Sequence, residues 1–158
     1  MALVHDMAEL LVGDITPVDG VLKPEKSRRE AETMDYLCKG TLGNVLGGLP
    51  AEEIRKVWQE YEDGETLESQ YVHDIDKMEL LLQMMEYERQ HEGKLDLGEF
   101  SWVAQKIQLP EVRTWCDDLL KERAEFWSSV GKTPIGDNLD EKQKQQHQEY
   151  YSNGSKTA

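Results

Sequence analysis

TLESQYVHDIDKMELLLQMMEYERQH, residues 66–91, is the stretch that decides the fold of this chain. Its apolar side chains Tyr71, Val72, Ile75, Met78, Leu82 and Met85 step by three and four. That is the period of a helix burying one stripe. The stretch contains neither proline nor glycine, so nothing in it interrupts a helix. It predicts the longest helix of an all-α fold.

The same period continues on either side. Ile54, Val57, Trp58 and Tyr61 lie at i, i+3, i+4 and i+7 and predict a helix from Pro50 to about Glu62, stopped at Asp63-Gly64. The glycines of residues 40–49 (Gly40, Gly43, Gly47, Gly48) predict a loop, preceded by a helix from Pro24 to Lys39. Residues 14–24, with Pro17, Gly20 and Pro24, read as an extended loop. Residues 2–12 read as a first helix ending at Gly13. Downstream, helices are expected at 97–107 and 110–130. From Lys132 onward the chain turns polar and glutamine-rich, which predicts a disordered tail at 132–158 behind a helical domain at 1–131. No segment alternates with the period of a strand, and no repeat is present.

A length of 158 residues suits one domain with a real core. Its net charge of −14 disfavours duplex nucleic acid and anionic membranes as partners. That charge does not exclude a small phosphorylated substrate, because a divalent cation reverses the local field. No apolar run approaches the ~18 residues of a membrane span. Cys38 and Cys116 are far apart in sequence, with no CxxC spacing. They read as reduced thiols of an intracellular, cytoplasmic or nuclear protein.

Two constellations could carry chemistry. In His5-Asp6-Met7-Ala8-Glu9, a helix places His5, Asp6 and Glu9 within one arc of roughly 100°. An imidazole beside a carboxylate suits a borderline cation. The alternative is the solvated face of an amphipathic helix. In the long helix, His73-Asp74 repeats the dipeptide, yet Asp74 points away from the centre of the apolar stripe. Asp76 has Val72 and Leu80 four residues to either side. A carboxylate buried there needs an ion pair or a metal. His73 reads as a partly exposed surface histidine. Asp14 reads either as a turn-former or as a second acid near the His-Asp pair. Lys23, Lys26, Arg28 and Arg29 read as a solvated basic face. The four tryptophans read as core or interface. No glycine cluster has phosphate-loop spacing.

The run Ala2-Leu3-Val4-His5-Asp6-Met7-Ala8-Glu9 through Val12-Gly13-Asp14-Ile15 closely resembles the second motif of the HD-domain phosphohydrolases, in their 5'-deoxynucleotidase branch. Pro24-Glu25-Lys26 with Arg28-Arg29-Glu30, Val57 to Glu62, Tyr71-Val72, Asp76-Lys77 and Glu86-Tyr87-Glu88 extend the resemblance over about residues 2–130.

The resemblance implies a helical bundle that binds a divalent cation (Mn, Co or Mg) and releases phosphate from deoxyribonucleoside 5'-monophosphates. It assigns His5, Asp6 and Asp76 to the metal and Glu9 and Asp14 to catalysis. Asp14, Ile15, Thr16 and Pro17 fall to the substrate loop, and Glu9, Asp14 and the Ile15 carbonyl suit a second metal. It further implies a homodimer. The family's first metal-binding His, an Arg and an aromatic residue belong to a helix upstream of this motif. The chain is therefore expected to be a domain lacking its first helices. A rival expectation follows: a catalytically impaired fragment that acts as a helical interaction module.

Overall fold

A computed structural model describes residues 1–16, 19–137 and Lys144. Among the described residues every regular element is helical, as the sequence predicts. The chain divides into two compact units, Met1–Asp63 with Asp140–Ala158, and Gly64–Leu139.

In the first unit, α1 spans only Glu9–Val12, and residues 2–7 form successive turns. The helix expected over residues 2–12 fails because one near and one distant side chain take its carbonyls. His5 Nδ1 lies 2.9 Å from the Ala2 carbonyl, and Trp58 Nε1 donates to the His5 carbonyl at 3.1 Å. Two acceptors of an α-ladder are thereby diverted to side chains. The backbone falls back on tighter bonds such as Glu9 N to Asp6 O at 3.0 Å. Gly13, at φ +77, closes α1 by donating its N–H to Glu9 O.

Helix α2 spans Lys23–Tyr36, with Pro24 in its first turn. It continues as a wider π turn at Leu37–Thr41, so part of the glycine-rich stretch is helical rather than loop. A 3-10 turn at Val45–Gly48 leads into α3, Leu49–Asp63. Met34, Leu37 and Cys38 pack with Ala8, Ala51 and Trp58 as the core of this unit. Arg55 ties α3 to α2 through Asp35 at 2.9 Å and lies over the Trp58 ring.

The second unit is built on α4, Leu67–Gln90. Thr66 caps it by accepting from Ser69 N at 3.2 Å. A 3-10 segment, Gly98–Lys106, and α5, Pro110–Ser129, pack against it. The core joins Met78, Leu81, Met84 and Met85 to Val103, Ile107, Val112 and Cys116. Two predictions from α4 need correction. Its buried face runs through Asp74, Met78, Leu81, Met85 and Glu88, while Tyr71 and Leu82 are exposed. Asp74, expected off the stripe, is buried, and Asp76, expected on it, is exposed.

Two buried carboxylates hold the second unit together. Asp74 accepts from Gln108 N at 2.9 Å and Leu109 N at 2.7 Å, capping the entry to α5. Glu88 accepts from Arg123 at 2.7 and 2.9 Å, from Trp127 Nε1 at 2.9 Å and from Leu97 N at 3.0 Å. Residues 132–137 do not leave the domain as tail. Lys132 donates to the Gly93 carbonyl, and Ile135 N and Gly136 N donate to Asp96. Apart from Lys144, the remainder of the expected tail lies outside the described residues. Trp58 and Trp127 are core, whereas Trp115 is 48% exposed. Cys38 and Cys116 are both buried free thiols. No described helix is long and apolar enough to cross a membrane.

Candidate functional site

The first unit gathers most of the residues singled out by the sequence. His5 sits between the turns of residues 2–7 and helix α3. Tyr61 meets its ring edge-on at 5.0 Å, and Trp58, three residues earlier on the same helix face, holds its carbonyl. The pairing of these aromatics at i, i+3 on α3 fixes the imidazole in place.

That fixing determines the ring's tautomer. A carbonyl oxygen only accepts, so Nδ1, at 2.9 Å from Ala2 O, must carry a proton. Nε2 then faces Asp6 Oδ2 at 3.0 Å. An imidazole lone pair and a carboxylate oxygen that close repel each other unless a positive charge lies with them. A proton on Nε2 supplies it, and so does a metal. Two ligands at about 2.1 Å from one ion and at right angles stand about 3 Å apart. The donor set thus fits a divalent cation. The His5 side chain is 15% exposed and the Asp6 side chain 61%. The pair is therefore anchored on one side and open on the other.

Glu9 follows one turn later. Burial raises its carboxyl pKa, Asp14 and Asp6 raise it further by repulsion, and the Lys26 ammonium opposes them. Asp14 is exposed just past Gly13, and Ile15 is buried. Thr16 turns back on itself, its N–H and hydroxyl both donating to Asp19 Oδ2 at 2.7 Å. Pro17 lies outside the described residues.

Lys26 departs from the solvated basic face expected for it. Arg28 and Arg29 are indeed solvated, paired with Glu25 and Glu32. Lys26, by contrast, turns inward. Its Nζ donates to the Ile15 carbonyl at 3.1 Å and lies 3.7 Å from Glu9 Oε1 and 3.5 Å from Glu30 Oε1. Glu30 and Glu62 complete an acidic cluster in the same unit, with burial as the main cause of their raised carboxyl pKa values. A signal for this existed. The buried stripe Met34, Leu37, Cys38, continued back along α2 at helical spacing, lands on Glu30 and then on Lys26.

Asp76 belongs to the second unit, exposed on α4. Its role as a ligand therefore rests on the resemblance, because the burial argument for it does not hold. Among the described residues no group of three or more His, Cys, Asp or Glu side chains forms a ready-made metal cage.

An all-helical chain that places a His-Asp pair at the start of its first turns has the hallmark of one helical class. The chain belongs to the HD domain family, whose model matches residues 1–114. It is 48% identical over 130 residues to the 5'-deoxynucleotidase hdd1 of Schizosaccharomyces pombe, covering 82% of this chain and 65% of that protein. It is 45% identical to the 5'-deoxynucleotidase YGK1 of Saccharomyces cerevisiae, covering 82% and 60%. It is 40% identical over 142 residues to the 5'-deoxynucleotidase HDDC2 of Danio rerio, covering 88% and 68%. The chain thus spans less than two thirds of the length of the two fungal proteins.

Proposed function

We propose that this chain carries the His-Asp and water-activating part of a phosphomonoesterase that releases phosphate from deoxyribonucleoside 5'-monophosphates. The observation that carries the reading is the His5–Asp6 pair at 3.0 Å, with its imidazole tautomer set by Ala2 and a buried-side carboxylate, Glu9, one turn on. Membership of the HD domain family and relatives that bear the name 5'-deoxynucleotidase support the same reading.

His5 Nε2 and the Asp6 carboxylate, joined by Asp76, would hold a divalent cation (Mn, Co or Mg). When bound there, such an ion neutralises phosphate charge and acidifies a water. The chain's own residues do the rest. Glu9, whose burial makes it a stronger base than a solvated glutamate, takes the proton from the attacking water. The water oxygen bonds to phosphorus as the bond to the nucleoside 5'-oxygen breaks, and that oxygen takes a proton from solvent water to leave as the nucleoside hydroxyl. Asp14, Ile15 and Thr16, with Pro17, form the loop that seats the sugar and phosphate. Glu9, Asp14 and the Ile15 carbonyl are the ligands for any second ion. The protein works as a homodimer.

Phosphate release from dAMP, dGMP and dTMP, with Mn, Co, Mg or a chelator, tests the reading. Turnover that needs the metal and is lost in Asp76→Ala is the expected result. A folded sample without metal-dependent turnover would replace this reading with that of an interaction module, for which Leu3, Leu10 and Leu11 are exposed.

A further inference from the structure

We propose that Lys26 is a positioning residue of this site, the internal cation that aims Glu9 and anchors residues 14–16 through the Ile15 carbonyl. The inference rests on the phosphomonoesterase reading above and adds to it a residue that neither binds the metal nor touches substrate.

One ammonium joins two chain segments. From α2 it reaches α1 through Glu9 and the following loop through the Ile15 carbonyl. Its own aim is set by Glu30, one helical turn along α2 and 6% exposed. The Lys26 side chain is only 19% exposed, so it is ordered by packing as well as by charge. The Nζ–O contact at 3.1 Å ties α2 to the Ile15 carbonyl.

The chemistry explains why a cation is used. Glu9 stands among Asp6, Asp14 and Glu30, all of which repel its charge. Unopposed, that repulsion drives the carboxylate outward, away from any water it would deprotonate. A lysine at 3.7 Å pulls it the other way without bonding so tightly as to consume its basicity. Shifting a base by about 1 Å is enough to cost about 100-fold in rate.

The test uses the full chain with Lys26→Met and Lys26→Arg. Lys26→Met should lower kcat about 30- to 100-fold and leave KM for dAMP within about threefold. Lys26→Arg, which keeps the charge, should recover at least a tenth of wild-type kcat. Calorimetric titration with Mn alone should give the same affinity for wild type and both variants at the His5–Asp6 ion, which His5→Ala removes, because Lys26 has its contacts with Glu9 and the Ile15 carbonyl and not with that pair. Hydrogen exchange over residues 13–16 should quicken in Lys26→Met and not in Lys26→Arg. Unchanged kcat in Lys26→Met, equal losses in Met and Arg variants, or a parallel loss of Mn affinity would each overturn the proposal. If wild type turns over no substrate, the phosphomonoesterase reading fails by itself. The exchange measurement then still decides whether Lys26 holds the loop, and unaltered exchange would overturn that too.

Discussion

Asp74 and Asp76 stand two residues apart on α4, the first buried and the second exposed, and variants at the two positions separate a structural role from the proposed ligand role. Asp74 is 1% exposed, and one of its oxygens accepts two backbone N–H groups, from Gln108 and Leu109. Lys77 lies 3.7 Å from its other oxygen. Asp74→Ala strands both N–H groups at the entry to α5 and leaves a small void. Hydrogen bonds to a charged acceptor contribute about 1.5–3 kcal/mol each, so the loss should be about 3–5 kcal/mol. Asp74→Asn keeps an oxygen that can accept both bonds and loses only the charge, for about 1–2 kcal/mol. Exposed Asp76→Ala should cost under about 0.5 kcal/mol. Urea titration followed by tryptophan fluorescence reads all three. The Asp74→Ala midpoint on heating should fall by roughly 10 °C. Phosphate release should show the reverse order, with Asp76→Ala inactive and Asp74→Asn close to wild type. If Asp74→Ala is within 1 kcal/mol of wild type, or Asp76→Ala is the more destabilised, the buried face of α4 has been assigned wrongly.

Glu88→Ala leaves Arg123 buried without its main partner, and breaking such a pair should cost about 3–5 kcal/mol in the same urea assay. Burial works against a charge on Asp96, yet the N–H groups of Gly136, Gly98 and Ile135, with Arg123, hold its carboxyl below the usual aspartate range. A lowered folded-state pKa contributes stability that is present above the unfolded value and is lost as pH falls through the folded one. Asp96→Asn should therefore weaken the protein at pH 7 and flatten the acid limb of its stability profile below about pH 4. Glu9→Gln should cut kcat by about 100- to 10,000-fold while leaving intact the Mn affinity of the His5–Asp6 ion, read by calorimetry. His5→Ala should abolish Mn binding.

What the sequence could convey divides by the reach of the interactions involved. The helices at 24–39, 50–62, 66–91 and 110–130 were legible because side chains three and four residues apart determine them, and such spacing is visible in any short window. The face of α4 was not legible. Asp74 is buried because backbone donors 34 and 35 residues downstream meet it, and Glu88 because Arg123 and Trp127 do. An apolar count treats both as outward-facing and so rotates the stripe toward Tyr71 and Leu82. The first turns failed in the same way. A tryptophan 53 residues away takes the His5 carbonyl, and no local propensity reports that. Yet the unwinding this causes is what fixes His5, since a carbonyl committed to Trp58 and a ring wedged by Tyr61 leave the imidazole little freedom. The residues of the candidate site are thus those where local preference and long-range partner disagree, as expected where a chain gives up regularity for function. Lys26 falls between the two cases. Its partner Glu30 is local, but its meaning appears only when the buried stripe of α2 is followed back past Met34 onto charged residues that an apolar pattern ignores.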